Sequence, residues 1–338
     1  MKSSKDLAEL LGISPATVSM ALNGRHGINE QTKQQVLEAA KKYGITKRER
    51  KSQNTAHIRF INLLVYKKHG LVFGDTPFFS AVIEGISNHA RELGFGLQVS
   101  YYYANQSEEE QIKLVNSSGC SGVIVFATEM MYSDQNFLSR INLPIVILDS
   151  YIESAPYSAV LIDNTQGAYE AVKHLYESGH KNVGFIASSV EINNFRERFE
   201  GFQKAVSEFS GSIYDANKVI RVTPTTDGAY NDMIAFLANK PIMESAYFAD
   251  NDIIASSCMR ALVENGYKIP QDISMIGFDD MPISYSISPK LTTMHVPKTS
   301  LGRYAVSRLM EIIHDKNNAI IKSAIRTELV IRDSVYTA

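Results

Sequence analysis

From Phe60 onward the chain alternates short, unbroken apolar runs with amphipathic segments. This alternation limits the possible folds more than any other feature. FINLLVY at 60–66, GLQVSYY at 96–102, GVIVFA at 122–127 and IVILD at 145–149 form one series, with helical patterns at about 79–93 and 107–118. A second series is AVLID at 159–163, VGFIA at 183–187, KVIRVT at 218–223, AYFAD at 246–250 and SMIGFDD at 274–280. Helical patterns near 166–178, 197–209, 228–239 and 252–265 separate its members. A strand that is apolar along its whole length is buried on both faces, as in parallel sheets covered by helices. The expected core, 59–338, is therefore α/β, with two doubly wound parallel-sheet lobes. TTMHV at 292–296, a helix over 298–315 and AIRTELVIRD at 324–333 remain, so the lobes should be joined by several crossings. We expect lobe one to be 59–161 plus 290–320, and lobe two 162–289 plus 321–338.

Residues 1–46 have a different texture and predict a small all-α domain. Leu7, Ala8, Leu10 and Leu11 make the stripe of a first helix, and Gly12 breaks it. Ile13 plugs the turn, Ser14 stands where an N-cap belongs, and Pro15 follows at the first helical position, which needs no backbone N–H. Thr17, Val18, Ala21 and Leu22 recur at helical spacing until Asn23-Gly24. Two short helices about a tight turn form a helix-turn-helix layout, whose second helix enters the DNA major groove. Asn29 is a candidate N-cap of a third helix, read from Thr32, with the stripe Val36, Leu37, Ala40 and Tyr43. Residues 47–58 are polar and basic and read as a hinge or linker.

Charge divides the chain at the same place. Residues 1–56 hold ten Lys/Arg against five Asp/Glu, and the remainder 24 against 31. A basic end on an acidic body suits an end that meets a polyanion. No apolar run approaches the roughly 20 residues that span a bilayer, and the charged N-terminus lacks a signal-peptide core, so a cytoplasmic location without membrane contact is expected. The two cysteines, Cys120 and Cys258, sit among apolar neighbours and read as buried thiols. Nucleophile-elbow, zinc-protease and phosphate-loop motifs are absent, and the eight histidines are scattered, so an enzyme, a metal site or a cofactor is not expected.

The stretch G-I-S-P-A-T-V-S-x-x-L-N-G at 12–24 resembles, almost residue for residue, the headpiece of the LacI/GalR family of bacterial transcription regulators. The second series carries the same resemblance: A-V-K-H-L-x-x-x-G-H at 171–180, R-F-x-G-F at 198–202, F-A-D-N-D at 248–252, I-P-Q-D-I-S-M-I-G-F-D-D at 269–280 and P-K-L-T-T at 289–293. It implies a periplasmic-binding-protein-like core behind the headpiece, and a homodimer on operator DNA. Segments 76–93 and 252–265 would be its dimer faces. The implied DNA contacts are Ser14, Pro15, Ala16, Thr17, Ser19 and Met20 in the turn and second helix, with Asn23, Thr32 and Lys33 on phosphates. Met20 stands where well-known members have arginine. That exchange removes a bidentate guanine contact worth about 1–3 kcal/mol. The linker also departs from the family. The usual Pro-Asn falls on Lys47-Arg48, and the leucine that wedges into the minor groove falls near Asn54. Lys47, Arg48, Arg50 and Lys51 are left to hold phosphates or enter the groove as cations.

In open α/β sheets the ligand sits beyond the carboxyl ends of the strands, here the cleft between two lobes. Asp149, Asp163, the run Asp250-Asn251-Asp252 and the pair Asp279-Asp280 all stand at such ends. Carboxylates and an amide suit the hydroxyls of a sugar. Helix capping is the competing role for Asp163, Asn164 and Asp252. By resemblance, the effector contacts are Arg198, Asn251 and Asp279, with Pro77-Phe78-Phe79 as a first-lobe wall in which Phe78 or Phe79 can stack on a ring. The expectation is a repressor whose operator affinity is set by a small molecule, a sugar by this chemistry. Two alternatives stand beside it: a solute-binding protein of the transport type, and a regulator controlled by a phosphoprotein.

Overall fold

The computed structural model describes residues 4–22, 27–43, 45, 59–72, 77–211, 214, 219–315 and 319–336. Residues 1–57 and 58–338 form two compact units.

The first unit contains α1 (Ser4–Leu11), α2 (Pro15–Leu22) and α3 (Glu30–Lys42). Gly12 ends α1 with φ 63°, a left-handed conformation that costs a residue without Cβ little. Ser14 Oγ accepts from the Thr17 N–H at 3.1 Å, and Asn29 Oδ1 from the Gln31 N–H at 2.8 Å, so both expected caps are made. The core is Leu7, Ala8, Val18, Ala21, Val36 and Ala40, with Ile13 and Leu22 packed at its edge. Leu10, Leu37 and Tyr43, expected in the apolar stripes, are 46, 44 and 40 % exposed. Helices this short bury only about one residue per turn against each other, so the stripes are narrower than their apolar positions suggest.

The second unit opens with β1 (Arg59–Lys67), α4 (Pro77–Glu92), β2 (Phe95–Tyr103), α5 (Glu108–Asn116) and β3 (Val123–Phe126). A 3₁₀ stretch (Tyr132–Arg140), β4 (Ile145–Leu148) and β5 (Ser158–Ile162) follow. Then come α6 (Asn164–Glu177), β6 (Val183–Ser188), α7 (Asn193–Ser210), β7 (Ile220–Val222), α8 (Thr226–Ala238) and β8 (Ala246–Ala249). The chain continues through α9 (Asp252–Glu264), β9 (Ser274–Asp279), α10 (Pro282–Ser286), β10 (Thr292–His295), α11 (Lys298–His314), β11 (Lys322–Ile325) and β12 (Glu328–Val330). One sheet has the order β11-β5-β4-β3-β1-β2, the other β12-β10-β9-β8-β6-β7. Every pairing is parallel except β10 with β12.

This topology corrects the expected lobe boundaries. TTMHV, assigned to lobe one, is β10 and extends the second sheet beside β9. AIRTELVIRD, assigned whole to lobe two, is divided between two strands. β11 pairs with β5 of the first sheet, and β12 with β10 of the second. Short edge strands carry no apolar pattern that says which sheet they join. Two elements keep their expected place: β12 stays in lobe two, and in α11 Leu301, Ala305, Val306 and Leu309 share a core with Val82 and Ile86 of α4 in lobe one. Three crossings therefore join the lobes, at 163, 296–297 and 326–327.

Helix α7 starts four residues earlier than its apolar pattern implied. Its approach to α6 requires Gly201, because a Cβ there would stand 2.1 Å from the Thr165 carbonyl oxygen. That contact sets the position of Arg198, one turn earlier.

Candidate effector cavity and DNA-reading helix

A cavity of about 540 Å³, counting its mouth, opens between the carboxyl ends of the two sheets. Phe78, Phe79, Asp149, Arg198, Asn251 and Asp279, the six effector-contact candidates, all line it. Each reaches the wall by a local route. Phe78 and Phe79 occupy the first turn of α4, and Phe79 stacks on Phe126 at 5.3 Å. Asp149 follows β4 with φ 67°, and Asp279 ends β9 with φ 103°; both turn off their strands at the sheet edge. Asn251 caps α9, its Oδ1 accepting from the Ile254 N–H at 3.0 Å, which leaves the NH₂ group for a ligand.

Arg198 is the hub of the second-lobe wall and is 3 % exposed. Its Nε donates to Asn164 Oδ1 at 2.9 Å, Nη1 to the Asp250 carbonyl at 2.6 Å and Nη2 to Asp279 Oδ1 at 3.1 Å. The guanidinium also lies 3.8 Å from the centroid of the Phe278 ring, a cation–π position. Burial raises the Asp279 carboxyl above its ordinary range, against the pull of Arg198 and Lys298. Lys298 Nζ donates to the carbonyls of Asp279, Asp280 and Val296, tying α11 to the end of β9.

Asp149 is the corresponding acid of the first lobe. Burial pushes it up to about 7; the hydrogen bond from Thr128 and the charge of Arg198 oppose the shift, and the charge of Asp279 adds to it. Thr128 Oγ1 donates to its Oδ2 at 2.5 Å and Asn194 Nδ2 to its Oδ1 at 3.1 Å. Asn194 belongs to the second lobe, so this bond crosses the cleft. Asn193 crosses too, donating to the Met130 carbonyl at 3.1 Å and to Ser150 Oγ at 2.9 Å. The first turn of α7 thus joins the lobes from inside the cavity.

Sequence reasoning missed Thr128, Asn193, Asn194 and Glu129. Two adjacent asparagines between a strand and a helix were the available signal for the α7 pair. Glu129 is fully buried and works indirectly. Its carboxylate accepts from the backbone N–H groups of Lys68, His69, Gly70 and Val72 at 2.8–3.2 Å, fixing the segment that follows β1. Burial opposes its ionisation, but the His69 ring and the Gly70 and Lys68 N–H groups hold it down to about 2. Of the acids for which capping competed, Asp163 caps α6 through the Gln166 N–H. Asp252 is buried and binds Thr293 and the Met281 N–H. Asn164 serves Arg198.

In the helical unit, Ser14, Pro15, Ala16 and Ser19 are exposed, while Thr17, Met20, Thr32 and Lys33 are half-buried. Val18 and Ala21 point inward. Lys33 pairs with Glu30 at 2.9 Å. Asn23, Lys47, Arg48, Arg50 and Lys51, and with them the whole expected hinge, lie outside the described residues. Among the described residues no helix is long and apolar enough to cross a membrane, and no cluster of His, Cys, Asp or Glu is arranged to hold a metal. Cys120 and Cys258 are buried free thiols.

Two family models match the chain. "Bacterial regulatory proteins, lacI family" covers residues 4–46 and "Periplasmic binding protein-like domain" residues 172–335. Similar proteins include the HTH-type transcriptional repressor PurR of Photobacterium profundum, 31 % identical over 345 residues and matched over 99 % of both chains. PurR of Mannheimia succiniciproducens is 30 % identical, again over 99 % of both. Among solved structures, the transcriptional regulator CelR–cellobiose complex superposes over 99 % of this chain and 100 % of its own, with TM-score 0.73 and 23 % identity. A LacI family transcriptional regulator from Enterococcus faecalis V583 with bound ribose covers 83 % of this chain and 100 % of its own, with TM-score 0.69 and 26 % identity. A helix-turn-helix unit, two crossed parallel-sheet lobes and full-length likeness to named repressors agree: the chain belongs to the LacI family of bacterial transcription regulators and is not an enzyme.

Proposed function

We propose that this protein is a cytoplasmic, homodimeric repressor that binds a near-palindromic operator and is controlled by a sugar or sugar derivative in the cavity between its lobes. A two-fold dimer presents two reading helices to two half-sites. Ser14, Pro15, Ala16, Thr17, Ser19 and Met20 face the bases. Ala16 meets a thymine methyl, and Thr17 and Ser19 reach a phosphate or a base edge. Thr32, Lys33 and the basic stretch Lys47, Arg48, Arg50 and Lys51, together with Asn23, hold phosphates.

The observation that carries the effector reading is the composition of the cavity wall. Two carboxylates (Asp149 and Asp279), a guanidinium (Arg198) and an amide (Asn251) converge opposite two phenylalanine rings. Vicinal hydroxyls donate to the acids and accept from Arg198 and Asn251, and a sugar's apolar ring face stacks on Phe78 or Phe79. The ribose bound to the Enterococcus faecalis regulator supports this reading. Asn193 and Asn194 already tie the lobes, so the ligand sits beside the bonds that hold the cleft closed. It controls DNA affinity through its different affinity for the closed and open arrangements.

A thermal-shift screen of the full chain against ribose, cellobiose and a wider sugar panel tests this reading. A ligand of the folded state raises the melting temperature by mass action. The expected result is a concentration-dependent rise for at least one sugar, abolished by Asp279→Ala. No rise across the panel contradicts the carbohydrate assignment.

A further inference from the structure

We propose that the second lobe holds a separate binding site for an anionic sugar, a phosphorylated or carboxylated polyol, in a cavity beside the effector cavity between α7 and the edge strand β7. Among the described residues this second cavity is lined by Asp250, Arg196, Arg221, Glu191, Phe195 and Phe199, among others. It lies along β6 and β7 and reaches the carboxyl ends of β6 and β8, taking Arg196 and Phe199 of α7 where the effector cavity takes Asn194 and Arg198. Among the described residues, Phe195 is the only aromatic one that lines both cavities.

Asp250 marks it as a binding site. Its side chain is 1 % exposed, and only Oδ2 is satisfied, by the Ser188 N–H at 2.6 Å. The other oxygen, Oδ1, is buried and has no hydrogen-bond partner among the described residues. A buried polar oxygen left unpaired carries its full desolvation cost, so native proteins rarely keep one without a role. A hydroxyl, which both donates and accepts, satisfies this oxygen whether the acid is ionised or not.

The mouth supplies the anion-binding half. Arg221 projects from the edge strand, exposed, its side chain with no hydrogen bond or ion pair among the described residues. Arg196 uses one donor on Asn193 Oδ1, at 3.2 Å, and keeps the rest of its fork. The cavity holds two guanidiniums and two acids, but Asp250 is at its buried end, so at the mouth Arg196 and Arg221 face Glu191 alone and that rim suits one phosphate or carboxylate group. Phe195 and Phe199 offer an apolar wall for the carbon skeleton.

The two cavities are mechanically joined. Arg198, which holds Asp279 in the first, donates to the carbonyl of Asp250 in the second. Arg196 holds Asn193, which bridges the lobes. An anionic ligand on Arg196 and Asp250 therefore acts on the same closure as the effector, and each ligand changes the other's affinity by the same factor.

Isothermal titration of the full-length protein with glucose 6-phosphate, gluconate and glucose tests the site. At least one anionic probe should bind saturably, and glucose about tenfold more weakly or less at this site. Arg221→Gln, an exposed change, should weaken the anionic probe about tenfold at an unchanged melting temperature. Asp250→Asn should also weaken it, and Phe79→Ala in the neighbouring cavity should leave it within about twofold. A preference for glucose 6-phosphate assigns a phosphate, and one for gluconate a carboxylate. The proposal is overturned if neither anion binds saturably, if glucose binds as well, or if Phe79→Ala abolishes binding that Arg221→Gln leaves intact.

Discussion

The DNA-reading unit and the effector cavity solve opposite problems. The helical unit rests on six small or medium apolar side chains and turns Ser14, Pro15, Ala16 and Ser19 outward. The cavity wall is the reverse. Arg198, Asp149 and Asn194 are buried, and each is already hydrogen-bonded to the others or to the strand ends. On the proposed reading, recognition of DNA falls on an exposed surface, so substitutions there should change specificity without changing the fold. Recognition of the effector then falls on a buried network, so substitutions there should change fold and function together.

The largest effect that tests this contrast is Arg198→Met. It leaves Asp279 and Asn164 without their donor, and breaking a buried ion pair typically costs about 3–5 kcal/mol. Denaturant unfolding should show that loss together with loss of ligand-induced thermal stabilisation. A stable variant with intact ligand binding would break the contrast at the cavity. Leu7→Ala probes the other side. Removing a fully buried leucine from so small a core costs about 2–5 kcal/mol. Circular dichroism and DNA titration should show operator binding lost while the effector response of residues 58–338 survives.

Smaller effects sharpen the comparison. Met20→Arg should leave the melting temperature unchanged and shift the preferred base at one position of each half-site toward guanine, by about 1–3 kcal/mol in a base-substitution binding series. Asn194→Ala removes one bond across the cleft, worth about 1 kcal/mol, and should loosen closure, seen as a larger radius of gyration in X-ray scattering. The smallest is a pH effect. Asp149 and Asp250 are raised to about 7 by burial from an ordinary 3.8, so the folded state holds protons that the unfolded chain has released. Their contribution is complete below the unfolded value and is lost as pH rises through the folded one. The melting temperature should therefore fall between about pH 4 and 7, and fall less in Asp149→Asn. A rise over that range, steeper in the wild type than in the variant, would count against the raised carboxyl.

How much could be read from the chain follows the same division. Helix caps at Ser14 and Asn29 and acids at the ends of apolar runs are local signals, and local signals survive without coordinates. The cavity candidates were legible because strand ends converge wherever two parallel sheets face each other. Thr128, Asn193 and Asn194 were not, because their role depends on a partner in the opposite lobe. The lobe to which β10 and β11 belong was hidden for a related reason: four-residue strands take their sheet from the crossings, not from their own pattern. Leu10, Leu37 and Tyr43 misled because apolar spacing does not say how wide a face a small bundle can cover.

If the proposal holds, one chain reads DNA with its turn and second helix and responds to a small molecule through the cavity between its lobes. Fluorescence anisotropy on an operator fragment selected from random sequence, titrated with and without the sugar found by thermal shift, tests it directly. The expected result is salt-dependent binding whose affinity changes by about 5- to 150-fold when the sugar is present, with the change lost in Asp279→Ala. Binding that ignores salt, or that deletion of residues 1–57 leaves unaltered, would contradict it.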